Sequence, residues 1–406
     1  MNLDLDLDQF IREKVTRRAA SLLSADLQRY DGELHARLEG RNVLVIGGAG
    51  SIGAAYIKAV LRFPVGSLCV IDLNENGLTE LVRDLRSTAG LRLPAQLLTY
   101  PVNFGDPVFE KIFRANGPFD VVANFAAHKH VRSEKDIFSV EAMLTNNVFR
   151  ARRLLELLAE LPPQRFFCVS TDKAANPVNI MGASKKLMEE VILAFADRVP
   201  VTTARFANVA FSNGSLPLGF LERLNRRQPW SCPRGIQRFF VSPQEAGEIC
   251  LMASILGNSG EIFFPKLDER RDLVAFTDVA LALLTALGLE PDLCASEEEA
   301  RQKAASRKAD ARNYPLFCFD SDTSGEKPEE EFVTQGEKTD MDRFVGLGVI
   351  QNARRRDLKE MDAIIGRLRR CFERENVTKA EVVAVLQEYL PTFAHIEKGK
   401  QLDQRM

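Results

Sequence analysis

The chain has 406 residues, 45% hydrophobic and 27% charged, which is enough for two lobes built around sizeable apolar cores. A net charge of -2 supplies no basic field for nucleic acid, no apolar stretch of ~18 or more residues reads as a membrane span, and no leader pattern opens the chain. Seven scattered cysteines without a C-x-x-C pair and four histidines without ligand spacing argue against a disulfide framework and a metal site, so the expectation is a cytoplasmic protein with reduced thiols and no nucleic-acid or membrane partner.

Residues 1–38 read as a helical arm for packing or oligomerisation. FIREKVTRRAASLL and SADLQRYDGELHARLEG carry apolar residues at helical spacing, with Gly40 as a stop. The apolar run Val43 to Ile46 then halts at GGAGSIG, an amphipathic AAYIKAVLRF follows, and SLCVID ends in Asp72, which spells a βαβ unit. Gly47 or Gly48 permits a sharp turn, Gly50 leaves the backbone open to a pyrophosphate, and Gly53 lets the helix approach the strand. The helix N-terminus at Ser51 and Ile52 presents free N–H groups to phosphates. Asp72, about 20 residues on, is placed to accept from ribose hydroxyls and to repel a 2′-phosphate, which favours NAD over NADP.

NENGLTELVRDLRSTAG follows as a helix and AQLLTYPVNF as a third strand ending near Asn103 and Phe104, at the edge that faces an adenine. Asn103 reads equally as an adenine contact or a loop cap. FDVVANFAAHKHV supplies strand four; Ala126 and Ala127 let the backbone approach the dinucleotide, and Lys129 and His130 stand at the mouth. SVEAMLTNNVFRARRLLELLAEL is a long helix carrying Asn146. RFFCVS is a buried strand that delivers Thr171, Asp172 and Lys173 to the ligand edge, and a loop at Asn176 and Pro177 leads to a helix from about Gly182 that bears Lys185. Two lysines and an aspartate there suit proton transfer, the alternative being a surface ion pair. Beyond VTTARFANV, short alternating elements form a smaller lobe in which the Arg238 fork suits either a diphosphate or an internal salt bridge. Residues 295–312 read as an exposed helix, and LKEMDAIIGRLRRCFERE with TKAEVVAVLQEYL as a helix pair for packing or assembly. The expected fold is α/β: a Rossmann-type, doubly wound parallel sheet, with a smaller discontinuous substrate lobe and helical terminal extensions. Its expected divisions are the arm 1–38, an NAD-binding domain 39–210, a substrate lobe 211–335 and a helical tail 336–406.

Eight motifs in order, GGAGSIG, AAHKHV, TN at 145 and 146, STDKAANPVNIMGASK, RFANV, QRFFVSPQEA, GEIFFPK and SGEKPEEE, carry a resemblance over about Arg41 to Glu331. The chain resembles the extended short-chain dehydrogenase/reductases and, within them, the nucleotide-sugar 4,6-dehydratases of bacterial polysaccharide and glycan biosynthesis, in particular those acting on UDP-N-acetylglucosamine. The resemblance implies bound NAD, a UDP-sugar substrate and a homo-oligomer. It implies Lys173 as base at the sugar C5, Asp172 as acid for the departing 6-hydroxyl, Lys185 on the nicotinamide ribose, and His130, Asn208, Arg238 and Glu326 on the substrate side. Met181 departs from the superfamily's Tyr-x-x-x-Lys, four residues before Lys185, and a thioether transfers no proton. A Met-bearing subgroup of these dehydratases is similar in this respect. Asp172, or a water organised by Thr171 and Lys185, is then the nearest acceptor for the 4-hydroxyl proton. Ala207 and Asn213 replace a family glycine and arginine, and residues 132–138 lose the family's prolines. The alternatives are a 4-epimerase, and a silent NAD-binding scaffold, against which the retained Asp172, Lys173 and Lys185 argue.

Overall fold

The computed structural model describes residues 5–308, 310–320 and 330–396. Seven apolar runs too short for helices become parallel strands: β1 Asn42–Ile46, β2 Ser67–Asp72, β3 Gln96–Pro101, β4 Val121–Asn124, β5 Arg165–Val169, β6 Val201–Ala204 and β7 Glu261–Pro265. Two more, β8 Thr339–Asp340 and β9 Leu347–Ile350, run antiparallel at the edge beside β7. The order is β8-β9-β7-β6-β5-β4-β1-β2-β3, so the chain moves outward from β1 through β2 to β3 and resumes on the other side of β1 at β4. Strands buried on both faces read as continuous apolar runs rather than alternating ones, as VLVI and FFCV do. The register pairs Ile46 with Ile71 and with Asn124, which brings the carboxyl ends of β1, β2 and β4 level. That shared edge, where the strand order reverses, is the crevice in which open α/β sheets hold ligands.

Each face of the sheet carries a core. On one, Tyr56, Ile57 and Val60 of helix Ser51–Val60 meet Ile249 and Ala253 of Pro243–Leu256 and Leu34 and Leu38 of Ser24–Leu38. On the other, Leu154 and Leu158 meet Leu187 and Val191 of Ile180–Ala194, together with Ile364 and Leu368 of Leu358–Phe372 and Val382 and Leu386 of Lys379–Tyr389. The tail is tied down by Arg356 Nε on Glu190 at 2.7 Å and by Arg152 on Asp362. The smaller lobe holds two three-stranded sheets around a Phe220–Trp230–Tyr314 stack, joined by Phe10, Ile11 and Val15 of the arm. Among the described residues, no helix is long and apolar enough to cross a membrane.

Several boundaries differ from expectation. The first arm helix is Leu7–Phe10 followed by a π turn, Ile11–Val15, and it stops there rather than running to Leu23. Arg17 takes a positive φ of 55°, and Arg18 turns inward. Its guanidinium donates twice to Glu245 at 2.8 Å, once to Asp272 at 3.2 Å and once to the Phe240 carbonyl. A bidentate charged anchor overrides local helical spacing. The third strand ends at Pro101, short of Asn103, and the helix bearing Lys185 begins at Ile180, where Asn179 caps it by accepting from Gly182 N. The tail past 336 is not helical throughout: β8 and β9 extend the main sheet, because LGVI buries fully against β7. Likewise Pro243–Leu256 and β7, within the stretch assigned to the substrate lobe, pack in the layers of the large domain.

Candidate active site

A cavity of about 270 Å³ opens at the β1/β4 switch. Gly47, Gly50, Ser51, Ile52, Gly53, Asp72, Asn103, Phe104, Ala126, Ala127, Lys129 and Asn146 all line it, with His128 and Val169. The local geometry explains the loop. Gly47 turns the chain at φ 78°, and a Cβ on Gly53 would sit 2.3 Å from the Gly47 carbonyl. At Gly50, by contrast, a Cβ would meet only that carbonyl, at an ordinary 3.4 Å, so packing within the protein does not demand a glycine there. Asp72 accepts from Ala49 N and Asn74 N, both at 2.9 Å, which fixes its carboxylate against the loop. Asn103 lines the cavity, and its side chain accepts from Gly105 N at 2.8 Å, as the loop-cap reading expects. An open backbone at a helix N-terminus, a cleft and a fixed acid fit the pyrophosphate and adenosine ribose of NAD.

The mouth is closed from the small lobe. Lys129 Nζ donates to the Asn213 carbonyl at 2.9 Å, Asn213 N donates to Ser51 Oγ at 2.8 Å, and the His130 ring lies against Gly214. Burial pulls Lys129 below its ordinary value, and burial and then Arg150 do the same to His128.

Where β5 ends, the chain gathers a hydroxyl, a carboxylate and an ammonium. Asp172 is buried and accepts from Thr171 Oγ1 at 2.7 Å and from Lys173 Nζ at 3.2 Å on each oxygen. The carboxylate of the pair is buried, whereas the Lys173 side chain keeps 29% of its surface exposed. Burial opposes the Lys173 charge, but Asp172 and then Glu330 outweigh it, and the group sits above its ordinary value as an ammonium. Lys185 is buried and is pushed downward by desolvation; it does not itself line the cavity but donates at 2.7 Å to the carbonyl of Val169, which does. Met181 lies buried in the first turn of the same helix. Arg238 and Asn208 do not join the dinucleotide cavity. They gather about Glu330, with Arg238 Nε at 3.8 Å and Asn208 Nδ2 donating to its carboxylate. Glu326 lies outside the described residues.

Three features escaped the sequence reading. Asn147 accepts from His128 N and donates to His128 O and Ser184 Oγ, clamping the loop after β4 to the helix that carries Lys185. The paired asparagines inside an apolar helix were the available signal. Arg205, fully buried, spans Glu189 at 3.0 Å and Glu337 at 2.8 Å, while Ser170 Oγ donates to Glu189 at 2.6 Å. Against burial, which alone would raise it, Arg205 and Lys186 hold Glu189 at about 2. Glu330 is the third. It sits within SGEKPEEE, a run of acids in which nothing local distinguishes it, and its side chain turns inward.

The sheet, its switch-point cavity and the glycine cradle define a dinucleotide-binding protein of the Rossmann class. The chain belongs to the family of polysaccharide biosynthesis proteins, whose profile matches residues 43–346. It is 33% identical, over 57% of its length, to a protein of Methanocaldococcus jannaschii described as an uncharacterized membrane protein, 68% of which is spanned. The capsular polysaccharide biosynthesis protein CapD of Staphylococcus aureus is 29% identical over 60% of this chain, but the match spans only 41% of CapD. A UDP-N-acetylglucosamine 4,6-dehydratase (inverting) of Campylobacter jejuni is 25% identical over 60% of this chain and 71% of its own. A UDP-glucose 4-epimerase of Rickettsia bellii is 27% identical over 56% and 66%. Among solved structures, Pen from Bacillus thuringiensis shares the fold at TM-score 0.63 and 19% identity, covering 81% of this chain and 98% of that one.

Proposed function

We propose that the protein is an NAD-dependent nucleotide-sugar 4,6-dehydratase of polysaccharide or glycan biosynthesis, acting on UDP-N-acetylglucosamine. The observation that carries this reading is the contact between buried Asp172 and partly exposed Lys173 at the ligand edge of β5. NAD, when bound, supplies hydride acceptance at the sugar C4 and hydride return at C6. A ketone at C4 acidifies the C5 proton, and elimination then needs a base at C5 and an acid at the 6-hydroxyl. At rest the pair has the opposite charges, carboxylate and ammonium. One proton moving from Lys173 to Asp172 across 3.2 Å yields an amine and a carboxylic acid side by side. Lys173 then takes the C5 proton as Asp172 gives its own to the departing hydroxyl, and the ion pair is restored. Thr171, bonded to Asp172, can relay the 4-hydroxyl proton to solvent, a task Met181 cannot perform; after C6 is reduced Lys173 returns a proton to C5 and regains one from solvent, which closes the proton account.

Incubation with UDP-N-acetylglucosamine should give a product lighter by one water. A product of unchanged mass carrying an inverted 4-hydroxyl would make the enzyme a 4-epimerase, the reading that the Rickettsia relative favours. The nucleotide released on denaturing the purified protein should be NAD; mainly NADP would contradict the placement of Asp72 beside the Gly-rich loop. Met181→Ala should keep most turnover and Met181→Tyr should not exceed the parent. A tyrosine variant faster by tenfold, about 1.4 kcal/mol off the barrier, would show that a phenol was missing from the site rather than replaced.

A further inference from the structure

We propose that Glu330 is the positioning residue of the substrate side of this site, a carboxylate that fixes Asn208 and Arg238 beside the Asp172–Lys173 pair only while it is ionised. What those residues hold rests on the dehydratase reading; the positioning itself rests on the contacts. Glu330 arrives on a pinned segment: the Phe332 carbonyl accepts from Arg205 at 2.7 Å, and Glu337 grips the same guanidinium through both oxygens. Its side chain is 2% exposed. One oxygen accepts from Asn208 Nδ2 and the other from Phe239 N at 2.7 Å, next to Arg238. Both oxygens therefore face N–H donors, and a proton on either removes an acceptor.

Four groups act on this carboxyl. Burial and then the Asp172 charge push it up, Lys173 and Arg238 with the Phe239 N–H pull it down, and the balance stands at about 7. The carboxylate is thus charged at pH 8 and largely neutral at pH 6, within reach of ordinary assay conditions. A structural glutamate on an exposed loop would have been charged at both.

The test is Glu330→Gln in the full chain, since the amide keeps the shape and mimics the protonated state. The sign of the stability effect follows from the raised folded value: the parent holds an extra proton between its ordinary 4.5 and about 7, and loses that contribution as pH rises through this window. The melting temperature of Glu330→Gln minus that of the parent should therefore climb from acid to neutral pH and then level off. With UDP-N-acetylglucosamine, parent and variant should have similar KM at pH 6, whereas at pH 8 the variant's KM should be roughly tenfold higher and kcat within about threefold. A merely structural residue would give a KM ratio independent of pH. A melting difference that stays flat across the window overturns the titration of Glu330, and a pH-independent KM ratio overturns its role. If no nucleotide sugar turns over while the melting step remains, the dehydratase reading fails and the ionisation-dependent contact stands.

Discussion

Lys173→Ala and Asp172→Asn should each cut water elimination by about 10²–10⁴-fold while leaving bound NAD nearly unchanged. The expectation comes from the geometry of one contact. Lys173 reaches both Asp172 oxygens at 3.2 Å, Thr171 secures the same carboxylate at 2.7 Å, and none of the three belongs to the wall of the dinucleotide cavity. Removing either partner ends the proton exchange that makes an acid and a base from one ion pair. The remaining partner cannot serve both ends of the elimination, so the double variant should be little worse than either single one. Single-turnover rates, with released nucleotide measured alongside, check the claim. Near-parental rates in both variants would move the chemistry elsewhere in the site.

Arg205→Ala should cost about 3–5 kcal/mol of stability, read as the shift in denaturant midpoint. The guanidinium is the cation between two carboxylates, Glu189 and Glu337, and its removal leaves both sunk in the protein without it. The damage should reach the site as well, because Ser170 at the end of β5 bonds Glu189, and the segment delivering Glu330 hangs from Arg205. A midpoint lowered by less than the equivalent of about 1 kcal/mol would mean that water or a neighbouring cation replaces the guanidinium.

The dinucleotide cavity was the part of the site most open to reading, since each of its contributions is local. Asp72 follows its own strand, Gly47 and Gly53 are demanded by their own turn and helix, and Ala126 and Ala127 leave β4 at the same edge. The arm was harder. Its helical spacing is real, yet Arg18 ends the helix by reaching Glu245, 227 residues away. Asn208 and Arg238 were legible as polar groups of the right kind, but their gathering around Glu330 was not, since an acid run gives each of its members the same local character.

By itself the sequence determined the parallel sheet, the glycine-rich turn, the acid at the end of the second strand and the absence of a phenol at position 181. Those follow from periodicity, from glycine sterics and from which atoms a side chain owns, all properties of a residue and its near neighbours. Only the tertiary structure decided which charges are buried and with whom: Arg205 with Glu337, 132 residues on, and Glu330 with Asn208, 122 residues back. The protonation state of Lys173 belongs to the same category. A lysine's charge is set by how much water it has lost against how many carboxylates surround it, and while Asp172 is its chain neighbour, Glu330 reaches Lys173 only once the sheet and the small lobe have folded.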